Sequence, residues 1–118
     1  MLFDRLNAMT IEVQKADEDA VIKLWGRLDV NTAPDLREIA LRLYNKNECK
    51  TITIDLANVS YLDTSGLATL LEIQVAAKEN CVQLILSGLN EKVQYLIDVN
   101  GLTGFFRIVS SAQEKLHA

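Results

Sequence analysis

A chain of 118 residues, 49% of them hydrophobic, is long enough for one buried core and too short for two. Its net charge of −4, with no basic cluster to offset it, excludes nucleic acid as an expected partner, because phosphates must be met by Lys and Arg. No apolar run approaches the roughly 18 residues of a membrane span, and Asp4, Arg5 and Asn7 interrupt the stretch where a signal peptide would be continuous. A cytoplasmic protein with no direct membrane insertion is expected.

Residues 1–9 read as an N-terminal extension and residues 10–118 as one domain. In "TIEVQ", Ile11 and Val13 alternate with polar residues at the period of a half-buried strand. Asp17, Glu18 and Asp19 make a solvated turn, lacking the Gly and distal Glu of a calcium loop. Val21, Ile22, Leu24 and Trp25 then carry a second strand, paired with the first as a hairpin. Trp25, alone in an apolar strand, is expected in the core.

"NTAPDLREIALRLYNK" has the start signals of a helix: Thr32 as cap, Pro34 in the first turn, and Asp35 near the positive end of the dipole. Leu36, Ile39, Ala40, Leu43 and Tyr44 make its buried face. Ile52, Ile54 and Leu56 alternate through a third strand. A second helix is expected from Gly66 to about Asn80, burying Leu67, Leu70, Leu71 and Ala77 and turning Thr69, Glu72 and Glu79 outward. "CVQLILSGL" reads as a central strand buried on both faces. Asn90 caps a third helix that ends at Asn100–Gly101, "FFRIV" forms a short last strand, and "SSAQEKLHA" a terminal helical turn or two. Cys49 and Cys81 flank strands and are expected as free thiols rather than a disulfide.

The fold expected is therefore α/β: four to five strands, mostly parallel, with an N-terminal β-hairpin and about four helices. In such sheets functional groups gather where a strand's carboxyl end meets the next helix. "LDTSG", residues 62–66, occupies such a junction. Catalysis lacks its usual parts: His117 is the only histidine, and neither a zinc spacing nor a phosphate-binding glycine loop is present, so no enzyme activity, cofactor or metal is expected. Capping by Asp63 or Thr64, with Gly66 allowing close backbone approach, explains one polar group and the glycine. It leaves a second hydroxyl unexplained. A phosphoacceptor accounts for it, because a helix mouth favours an anion and a phosphate adds about −1.5 to −2 charges to the surface.

"GRLDVNTAPDLREIAL", "TIDLANVSYLDTSGLATLLE" and "LSGLNEKVQYLIDVNGLTGFF" resemble the three blocks of the anti-sigma factor antagonist family, a STAS domain, and the likeness runs from about residue 10 to about 110. The resemblance implies partner switching. The unmodified antagonist binds an anti-sigma factor that is also a serine/threonine kinase, the kinase phosphorylates it, and a phosphatase reverses the step. It further implies Thr64 as acceptor, with Ser65 as second choice, supported by Asp29, Asp63 and Gly66. The partner face is expected at Ser65, Thr69 and Glu72, and the protein as a monomer. Thr64 stands where such antagonists usually carry Ser, and Arg27 where an acidic residue is common. STAS subunits that bind the ATPase of bacterial phospholipid ABC transporters resemble "DTSGLATLL" and "LNEKV" as well, and are the alternative. A two-component receiver is excluded, since it needs an acidic pair after its first strand and a late Lys.

Overall fold

The computed structural model describes residues 9–110. Strands β1 (Met9–Ala16) and β2 (Asp19–Leu28) form the expected antiparallel hairpin, Ala16 facing Asp19. The turn passes through Asp17 at φ 56°, a left-handed conformation that Asp tolerates. Helix α1 (Ala33–Asn45), strand β3 (Thr51–Leu62), helix α2 (Thr64–Glu79), strand β4 (Gln83–Ser87), helix α3 (Glu91–Val99), a 3-10 turn at Thr103–Phe105 and strand β5 (Arg107–Val109) follow. The sheet order is β1-β2-β3-β4-β5, and every pair after the hairpin is parallel.

Each crossover from β2 onward steps in the same direction. Right-handed connections then place all three helices on one face. Ile22, Leu24, Ile54 and Leu86 on that face accordingly join Leu36, Ala40, Leu70, Ile73, Val93 and Ile97 of the helices in a single apolar cluster. Each such side chain contributes about 1.5–3 kcal/mol of burial. β4 is buried on both faces, as an interior strand must be.

Three elements depart from expectation. α2 begins at Thr64, two residues before Gly66, so both hydroxyl residues are helical. Three α-helices are present among the described residues instead of about four, and the last expected one falls on residues 111–118, outside them. Trp25 is not in the core: the inward phase of β2 is Ala20, Ile22 and Leu24, which leaves Trp25 37% exposed on the other face. The remaining ends follow the sequence signals. Asn90 accepts a hydrogen bond from the Val93 amide (2.9 Å), and α3 stops at Gly101, whose φ of 70° suits a residue without a Cβ. Cys49 is buried and Cys81 exposed, both free. No helix among the described residues is long and apolar enough to cross a membrane.

Tyr44 ties α1 to α2 by donating its hydroxyl to the Ile73 carbonyl at 3.1 Å, and its burial pushes the phenol pKa well above the ordinary value. Tyr44→Phe should cost about 0.5–1.5 kcal/mol at neutral pH through the lost bond. The folded phenol resists ionisation more than the unfolded one. Its contribution is therefore complete below the unfolded pKa of about 10 and is lost as pH rises beyond it. Urea unfolding from pH 8 to 11 should show a shallower alkaline decline in the Phe variant than in the wild type.

Candidate functional site

The site is built where β2 and β3 end side by side, Leu28 opposite Leu62. After Leu28 the chain turns through residues 29–32 into α1. The Thr32 hydroxyl makes no cap bond to that helix. It donates to the Arg27 carbonyl at 2.6 Å and accepts from the Asp29 amide at 2.9 Å, so its work is to tighten the turn. Asp29 in turn accepts from the Asn31 amide at 3.0 Å. Its side chain, only 15% exposed, is thereby fixed at the end of β2.

The second loop docks onto this turn. The Asp63 amide lies 3.4 Å from the Leu28 carbonyl, and Asp63 caps α2 by accepting from the Gly66 amide at 2.9 Å. The Leu67 amide closes the first turn on the Asp63 carbonyl at 3.0 Å. Gly66 faces the Leu28 carbonyl so closely that a Cβ would sit 2.4 Å from its oxygen and 2.6 Å from Leu62 Cδ1. The glycine is needed for that contact, which holds the two loops together.

Capping thus falls to Asp63 and leaves both hydroxyls free. Thr64 is exposed and Ser65 half-buried, and neither side chain makes a hydrogen bond among the described residues. The arrangement offers an unclaimed hydroxyl at the positive end of a 16-residue helix. Asp29, Asp63, Thr64, Ser65 and Gly66 are all brought to this one place.

Ser65 also opens onto a groove of about 470 Å³ between the first turns of α1 and α2, where Val30, Pro34 and Ala68 supply apolar wall. Thr69 and Glu72 line it as well. Thr69 was expected to face outward with Glu72; it is instead only 7% exposed, because α1 packs against that side of α2. Glu72 does reach solvent, where it accepts from Arg37 Nε at 2.7 Å and bridges the two helices. Sequence reading missed Arg37 and Val30, which belong to this surface only through the α1–α2 packing. The one available signal was Val30, an apolar residue stranded in a polar turn and 63% exposed. It likewise missed that Arg27 stacks 4.0 Å above the Tyr61 ring while its Nε reaches Asp29 at 3.4 Å.

The STAS domain family model matches residues 10–115, which contain every one of these groups. The chain belongs to the STAS domain family. Among curated STAS relatives, it is similar to the anti-sigma-B factor antagonist of Listeria monocytogenes, with 32% identity over 101 residues that cover 85% of this chain and 88% of the relative. The fold is similar to a crystal structure of an anti-sigma factor antagonist from Mycobacterium paratuberculosis (TM-score 0.83, 21% identity, 94% of this chain and 93% of that one). It is also similar to the Bacillus cell fate determinant SpoIIAA in its phosphorylated form (TM-score 0.73, 18% identity, 92% and 97%). At such identities the two structures speak to the STAS fold.

Gly66→Ala should destabilise this STAS domain by about 1–3 kcal/mol, since the methyl meets backbone that cannot swing aside. Asp63→Ala should cost about 1 kcal/mol through loss of the cap, with Asp63→Asn retaining most of it. Denaturant midpoints of the three variants check both.

Proposed function

We propose that this protein is an anti-sigma factor antagonist working in the cytoplasm as a monomer by phosphorylation-controlled partner switching, without enzymatic activity of its own. The observation that carries the reading is the division of labour in residues 63–66: Asp63 caps, Gly66 permits docking, and Thr64 is left exposed with no bond to break. The name of the Listeria relative supports the anti-sigma assignment.

In the unmodified state an anti-sigma factor with serine/threonine kinase activity docks on the mouth of α2 and the adjoining groove, where Ser65, Thr69 and Glu72 form the contact surface. The kinase transfers the γ-phosphoryl group of ATP to Thr64 Oγ1, ADP leaves, and the hydroxyl proton passes to the kinase's own base. The added charge of about −1.5 to −2 then stands beside Asp29 and Asp63 in a surface the partner must desolvate. A phosphatase hydrolyses the ester and restores docking.

Affinity capture from a lysate of the source cell with wild type, Thr64→Ala and Thr64→Glu tests this, with partners identified by mass spectrometry. A kinase-like ATPase retained by the first two and depleted at least about tenfold with Thr64→Glu is the expected result. Phosphate label from that kinase should be absent from Thr64→Ala. A still-labelled Ala variant would move the acceptor to Ser65. An ABC-transporter ATPase on the column, indifferent to the charge at residue 64, would overturn the proposal.

A further inference from the structure

We propose that Arg27 is an internal receiver for the Thr64 phosphate, exchanging its contact with Asp29 for the phosphate oxygens. The inference rests on the phosphorylation reading above and concerns what the domain does with the group once attached.

Three observations carry it. Arg27 and Tyr61 are direct register partners at the ends of β2 and β3, and Tyr61 precedes Thr64 by three residues, which places the two Cα atoms within about 11 Å. The guanidinium is aimed toward the site: it lies flat on the Tyr61 ring at 4.0 Å and reaches toward Asp29, in the loop that docks on Asp63. It is also under-used. Its single hydrogen bond among the described residues is the long one from Nε to Asp29 Oδ2 (3.4 Å), its side chain is 51% exposed, and its terminal N–H groups have no partner there.

Asp29 does not depend on Arg27, because Oδ1 already accepts from the Asn31 amide and lies 3.4 Å from the Thr32 hydroxyl. A phosphate presents more charge and three acceptor oxygens in the fork geometry that a guanidinium matches, so it outcompetes a carboxylate held by one long contact. The other nearby cations are worse placed. Arg37 is committed to Glu72 at 2.7 Å, and Lys92 lines a separate cavity of about 240 Å³ with Tyr61 and Leu62.

The test uses the full chain with phosphothreonine installed at position 64 during translation, so no kinase is needed and failure of the signalling reading remains separate. Titration by phosphorus NMR should place the second phosphate pKa at least about half a unit higher in Arg27→Gln than in the otherwise wild-type chain, with Lys92→Gln unchanged. The Arg27 Nε–Hε resonance should move on phosphorylation of the wild-type chain. An unmoved resonance overturns the proposal even if the pKa responds, because it would leave only a long-range field. Equal midpoints in wild type and Arg27→Gln, or a larger change in Lys92→Gln, overturn it directly. Matching amide spectra of the unphosphorylated chains establish that the exposed substitutions leave the fold intact.

Discussion

Nothing larger than hydrogen fits between residue 66 and the Leu28 carbonyl, and the rest of the site depends on that contact. It presses the first turn of α2 onto the end of β2, so two loops far apart in sequence become one surface. Asp29 comes from the first loop, Asp63 and Thr64 from the second. The same approach sets the separation of α1 and α2, and with it the groove beside Ser65 and the Arg37–Glu72 bridge across its end. A larger residue would have to push the helix outward, and every one of these relations would loosen together. The glycine's absence of a side chain acts here as a packing constraint; its backbone freedom is not what the site uses.

The division of work within residues 63–66 follows from elementary accounting of helix ends. A helix start leaves amides without partners, and one carboxylate at the cap meets the need at Gly66. Once Asp63 has taken that role, the neighbouring hydroxyls have no structural duty. Tyr61, three residues earlier, serves the surface differently, as the platform under Arg27. Charge, cap, acceptor and platform lie within a short stretch of β3 and α2, but the Arg they engage comes from β2.

Local periodicity was legible in the sequence wherever one physical demand dominated. β1, β2 and α1 show their buried faces directly, since each has one side to cover, and "LDTSG" stood out because a cap needs fewer polar groups than it contains. Misreadings occurred where a second element changed the meaning of a position. Thr69 looks like outer-face polarity until α1 is packed over it, and Trp25 looks like core until the phase of Ala20, Ile22 and Leu24 is fixed by the sheet. Thr32 has the identity of a cap, yet the Asp29 amide and Arg27 carbonyl claim its hydroxyl first. The groove was invisible for a stronger reason: its walls come from two helices joined only through the third dimension.

On the proposed reading, the domain must carry a phosphate without changing shape, and the magnitudes show how. At an exposed position, repulsion between the phosphate and a carboxylate about 4 Å away amounts to about 1 kcal/mol per unit charge in water. The dipole at the mouth of α2 returns about 0.3–1 kcal/mol for an anion there, and solvent screens both. The terms nearly cancel, so an isolated phosphorylated domain has no strong reason to rearrange. Docking removes the water that made this balance possible. Within a partner's interface the same phosphate must be desolvated against Asp29 and Asp63, at a penalty of several kcal/mol per ion unless a cation is supplied. An arginine that accompanies the phosphate would reduce its surface charge by one unit but not abolish it. Position 27 thus tunes how completely modification prevents docking, and the choice of Arg there over an acid sets the strength of the switch independently of whether it operates.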